Sequence, residues 1–95
     1  MTKQELITAV SDETGMTVIE CRKAIESAIE VVKGEISEGG AIYIRGLGTL
    51  SPVKRAQKVA RVIKTNQAMV IPEHMVPKFK PSKEFIEMCN VYRNE

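Results

Sequence analysis

An α+β fold is predicted by three observations on this 95-residue chain. Two Thr-to-Glu capping signals open the chain, each ahead of apolar residues at helical spacing. A run of β-formers starts at Ala41 and resumes after each glycine or proline as far as Lys80. A third capping signal, Pro81-Ser82, precedes a short amphipathic stretch. One domain is expected over 1–95, with a helical base over 1–40, strands over 41–80 and a final helix over 81–92.

Each element has a local cause. Thr2 with Glu5 makes a capping box, in which hydroxyl and carboxylate serve the orphan amides of the first turn. Leu6, Ile7 and Val10 then share a face, and Gly15 ends the helix by supplying a left-handed residue. Thr17 with Glu20 opens the second helix. Cys21, Ala24, Ile25, Ala28, Ile29, Val32 and Ile36 form its apolar stripe, which Gly39-Gly40 terminates. Gly34, inside the stripe, costs about 1 kcal/mol relative to Ala. The two helices form a tight hairpin.

Ala41-Ile42-Tyr43-Ile44-Arg45 is a short strand. Gly46-Leu47-Gly48 turns the chain, and Thr49 to Val53 resumes it. Pro52 has no N–H, so it requires an edge strand or a bulge. From Lys54 to Pro72 two long strands are expected, joined at a tip, Lys64-Thr65-Asn66-Gln67, where Asn66 can be left-handed. Glu73 to Lys80 returns to the body. Pro81-Ser82 caps the last helix, whose inner face carries Phe85, Ile86 and Cys89. The tail from Tyr92 to Glu95 is expected to fray.

Composition narrows the function. Aromatics are 4% of the chain, with no Trp, two Tyr and two Phe. A domain this small buries only about 60–65% of its unfolded surface, so either its helices pack very well or a partner completes its core. Hydrophobic content of 43% and charged content of 27% exclude global disorder. No apolar run is long enough to span a membrane, and the N-terminus carries no signal-peptide pattern. Cys21 and Cys89 are too few for a disulfide scaffold, which points to a reducing cytoplasm. Cys21 reads as a small core residue, and Cys89 similarly.

The net charge of +2 conceals a division. Residues 1–40 hold four Lys/Arg against eight Asp/Glu. Residues 41–83 hold nine Lys/Arg against one acid, Glu73. A basic middle in a nearly neutral whole is the footprint of a polyanion-binding surface. Lys54, Arg55, Lys58, Arg61 and Lys64 suit either a solvated surface strand or a ribbon lying in a DNA groove and displacing counterions. Strict alternation puts Lys54, Lys58 and Lys64 on one face, with Arg55 and Arg61 on the other. Ile63 is either a plain β-former or an apolar wedge between base pairs. His74 stands without ligand-spaced partners and reads as structural or surface. No paired carboxylates, phosphate-cradling loop or nucleophile motif is present, so no enzyme class is supported and no cofactor or metal is expected.

These elements together resemble the bacterial HU/integration host factor family of DNA-bending proteins over roughly residues 1–90. The opening Thr2-Lys3-Gln4-Glu5-Leu6-Ile7 is similar to the family's first helix. Gly46-Leu47-Gly48-Thr49-Leu50 resembles its G-F-G-T-F signature with leucines for phenylalanines. Arg55-Ala56 and Arg61 match arm arginines, and Val76-Pro77-Lys78-Phe79-Lys80 with Lys83 matches V-P-x-F-x-x-x-K. The resemblance implies an intertwined dimer, homodimeric or with a related chain. It further implies a three-stranded antiparallel sheet and long β-ribbon arms, over about 54–74, that embrace double-stranded DNA through the minor groove. It places Ile29, Val32, Ile36, Ile44, Leu47, Leu50 and Phe79 in the dimer core, and Lys3, Lys80 and Lys83 on the flanks. The family's arm carries R-N-P-x-T-G, where this chain has Arg61-Val62-Ile63-Lys64-Thr65-Asn66. Ile63 thus takes the place of the intercalating proline.

The expected function is a nucleoid-associated architectural protein that bends and compacts DNA with low sequence specificity. The alternatives are a sequence-selective bender of the same kind and an oligomeric module whose arms bind protein or RNA. No membrane or small-molecule partner is expected.

Overall fold

The computed structural model describes residues 1–62 and 67–91. The chain divides into two compact units, Met1–Gly34 and Glu35–Glu95.

The first unit is the helical hairpin. Helix α1 spans Lys3–Thr14 and α2 spans Val18–Ser37, continuing through Gly34 and past the unit's end. Thr2 caps α1 by accepting from the Glu5 N–H at 3.1 Å, and its hydroxyl donates to the Glu5 carboxylate at 3.3 Å. Thr17 repeats both bonds with Glu20, each at 3.1 Å. Gly15 is left-handed at φ 77, and its N–H donates to the Ser11 carbonyl. The intervening turn is tied by Ser11 Oγ, which donates to the Met16 carbonyl at 2.7 Å. Arg22 donates to Gln4 at 2.6 Å and Lys3 meets Glu26 at 2.9 Å, linking the helices side by side. Ile7 and Cys21 are fully buried.

In the second unit, α2 ends in a Schellman motif. The Gly39 N–H donates to Ile36 and the Gly40 N–H to Glu35, with Gly39 at φ 95. Strands β1 (Ile42–Ile44), β2 (Gly48–Arg55), β3 (Lys58–Val62), β4 (Gln67–Ile71) and β5 (His74–Pro81) follow, then α3 (Lys83–Asn90). A three-stranded antiparallel sheet has the order β1-β2-β5, and β3 pairs with β4 as a separate two-stranded ribbon.

The structure corrects the sequence reading in four places. The first strand is shorter than Ala41–Arg45. The strand holding Pro52 is central, not an edge. Pro52 is tolerated because β1 covers β2 only from Gly48 to Leu50, leaving that flank of Pro52 open. Across the other flank it faces Pro77, a rung where neither residue has an N–H to offer. The first of the two long strands expected from Lys54 to Pro72 is interrupted at Ala56-Gln57. Cys89 is exposed, whereas Cys21 is buried as expected.

Gly48 shows why the turn needs glycine. Its φ is 152, and a Cβ there would meet the Lys80 carbonyl oxygen, the Phe79 ring at 2.8 Å and Pro81 Cα at 2.9 Å. β2 and β5 approach that closely only because the side chain is missing. Ser82 locks the same corner. It accepts from Phe85 N–H at 3.1 Å as N-cap of α3, and its Oγ donates to the Gly46 carbonyl at 2.9 Å.

Among the described residues only Ile7, Cys21 and Ile36 are buried hydrophobics. Of the expected dimer-core residues, Ile36 is buried and Val32 and Leu50 are half-buried. Ile29, Ile44, Leu47 and Phe79 remain 38–40% exposed. The accessible surface is 8121 Å², against about 5,500 Å² for a self-contained protein of this mass.

Candidate nucleic-acid interface

The ribbon begins where the β2–β5 ladder ends, at the Arg55–His74 rung. β3 and β4 then pair from Lys58–Ile71 to Val62–Gln67, with Arg61 opposite Ala68. The last rung brings the two strands together at the expected tip. Ile63 and Lys64, the proposed wedge and its neighbouring cation, lie outside the described residues, as does the tail from Tyr92.

The cations belong to one side of the ladder. Lys54 and Arg55 end β2, Lys58 and Arg61 lie on β3, and Gln67–Ile71 of β4 carries none. Val59, Met69 and Val70 are more than half exposed. An apolar strand beside a cationic one gives an amphipathic ribbon. Such a ribbon can bring apolar contact to the sugar walls of a groove while its cations reach phosphate. The continuous two-residue alternation expected from Lys54 to Lys64 does not hold, because the strand stops at Arg55 and restarts at Lys58. Lys54 is also less free than its sequence suggests. Its ammonium lies 2.9 Å from Glu73, the one acid in this part of the chain. Both groups are largely exposed, so the pair is worth at most about 1 kcal/mol and can yield to phosphate.

A second basic surface lies at the start of α3. Arg45, Lys80 and Lys83 line one open hollow of about 500 Å³ with Tyr43, Thr49 and Ser82. The fold thus brings Lys80 and Lys83 together and adds Arg45, which the sequence reading had placed only as a strand end. Arg45 leads directly into the Gly46-Leu47-Gly48 turn, and Ser82 binds that turn to α3. The positive end of the α3 dipole favours an anion at the same place. Lys3 is in the other unit. It lines a hollow with Glu26, Ile29, Glu30 and Lys33, where the two cations are matched by two acids.

Comparison with known proteins agrees with this architecture. The sequence profile of a family described as bacterial DNA-binding protein matches residues 1–90. The integration host factor subunit beta of Marinobacter nauticus is 38% identical over 91 residues, covering 95% of this chain and 93% of its own. The DNA-binding protein HRm of Rhizobium meliloti is 32% identical over 90 residues, covering 95% of this chain and all of its own. Among solved structures, Anabaena HU in its cocrystal with DNA superposes with a TM-score of 0.92 at 30% identity, covering 96% of this chain and 99% of that one. The helical hairpin, the three-stranded sheet and the ribbon are therefore those of a known fold, and the chain belongs to the bacterial DNA-binding protein family.

Proposed function

We propose that this protein is a non-enzymatic architectural protein that works as a dimer, grips double-stranded DNA with its ribbons and bends it. The amphipathic ribbon carries the reading: cations on β2 and β3, an apolar β4, and a ladder that forms a two-stranded sheet of its own. Lys54, Arg55, Lys58, Arg61 and Lys64 contact the backbone of the minor groove. Ile63 wedges at a flexible base step. The hollow formed by Arg45, Lys80 and Lys83 receives the flanking duplex once it is bent. Bending 20–30 bp costs on the order of 1–6 kcal/mol, which these flank contacts offset.

Phosphate contacts and an apolar wedge read little sequence, so the protein acts as a low-specificity DNA condenser. It works in the cytoplasm, on the nucleoid. Dimerisation is supported by the half-exposed Ile29, Ile44, Leu47 and Phe79 and by an accessible surface of 8121 Å² for a 10.6 kDa chain. A second copy covers these residues.

The test is binding to linear and pre-bent duplexes by gel shift, with end-to-end FRET for the bend. Pre-bent DNA is expected to bind more tightly, and Ile63→Ala to reduce the bend more than the affinity. Equal affinity for the two duplexes, with no FRET change, would refute bending.

A further inference from the structure

We infer that the root of the ribbon holds a phosphodiester site in which His74 acts as a proton-dependent third cation beside Arg55 and Lys58. The inference rests on the DNA-binding reading above and adds a residue and a pH dependence to it.

Three strands build the site. Arg55 ends β2, Lys58 begins β3, and His74 begins β5 opposite Arg55 in the ladder. All three line one hollow of about 400 Å³, whose remaining walls are Ala56, Val76 and Pro77. No acid lines it. Glu73, next to His74 in sequence, has its carboxylate on the Lys54 ammonium at 2.9 Å. β4 ends at Ile71 and reaches His74 through Pro72 and Glu73, so it brings no cation to this corner. Among the described residues, the charged groups at this corner are Arg55 and Lys58 in the hollow and the Lys54–Glu73 ion pair beside it.

The imidazole is held in a defined way. Its Nδ1 lies 2.9 Å from the Pro72 carbonyl oxygen. A carbonyl oxygen only accepts, so Nδ1 carries the proton and Nε2 is the nitrogen left for a ligand. In neutral imidazole that nitrogen is a bare acceptor and offers nothing to a phosphate oxygen. Once protonated it donates a charge-assisted hydrogen bond and adds a positive charge. A phosphodiester bound by Arg55 and Lys58 favours the imidazolium over the neutral ring, so DNA binding takes up a proton at this site. By linkage, affinity rises as pH falls. The interruption of the ladder at Ala56-Gln57 gives the site its place, because it opens the corner that the strands would otherwise fill.

The chain has a single histidine, which makes the test clean. Duplex binding is measured by fluorescence anisotropy at fixed ionic strength from pH 5.5 to 8.0, and the salt dependence is recorded at each end. The wild type is expected to bind about tenfold more tightly at pH 5.5. His74→Gln should bind with a flat pH profile. His74→Lys should hold at pH 8.0 the tighter binding that the wild type reaches only at pH 5.5. A flat wild-type profile, or one that His74→Gln preserves, overturns the site while leaving salt-dependent DNA binding intact. Absence of duplex binding at every pH and salt concentration overturns both the site and the reading it rests on.

Discussion

β2 and β5 face each other over eight rungs and β3 and β4 over five, yet the two ladders are held in different ways. At the Gly48 end of the first, the backbones approach so closely that no Cβ fits, and Ser82 ties the corner to α3. In the second, Val59, Met69 and Val70 stay more than half exposed. The sheet is specified by packing. The ribbon is specified by its own ladder and by which side chains it presents. Comparable substitutions should therefore cost stability in one region and DNA affinity in the other.

The sharpest test of that division is Gly48→Ala. The new methyl collides with the β5 backbone at an unfavourable φ, so urea unfolding should show a loss of about 3 kcal/mol. A wild-type midpoint would remove the close approach from the account. Phe79→Ala follows. Phe79 packs edge-on against Phe85 at 6.3 Å yet remains 40% exposed in the single chain. Its truncation should cost about 2–3 kcal/mol, read as a dimer dissociation constant raised on the order of 100-fold by sedimentation. An unchanged constant would take Phe79 out of the interface. Ser82→Ala removes a cap and the Gly46 tie, and should cost about 1 kcal/mol of stability. Lys58→Ala should move the unfolding midpoint by less than about 0.5 kcal/mol while reducing the salt slope of DNA binding by about 0.9. The smallest effect belongs to Glu73→Gln. It frees Lys54 at the edge of the ribbon and should raise affinity about twofold with stability unchanged; weaker binding would contradict the competition between Glu73 and phosphate.

The sequence disclosed the parts of the fold whose causes are local. Thr2, Gly15, Thr17 and Gly39 each act within five residues of themselves, as does Ser82 in its role as N-cap, and each caps or ends the helix expected of it. Pro52 was harder to read, because its tolerance depends on how far a neighbouring strand reaches, and only the assembled sheet decides that. The pairing of Lys54 with Glu73 joins residues on opposite sides of the ribbon's root, so a count of charge along the chain could not find it. Arg45 was missed for the same reason. Its place beside Lys80 and Lys83 depends on a turn folding back onto a helix some 36 residues later. The charge division between residues 1–40 and 41–83 was the one long-range feature visible beforehand, because segregated charge survives any topology that keeps each segment whole.

The most direct measurement combines both halves of the comparison in one variant, Arg55→Ala/Lys58→Ala/Arg61→Ala. Its unfolding midpoint and its salt-dependent duplex affinity are measured alongside those of the wild type. A midpoint within about 0.5 kcal/mol of wild type, with the salt slope shallower by about 0.9 for each phosphate no longer neutralised, is the predicted result. A wild-type salt slope would contradict DNA recognition through the ribbon.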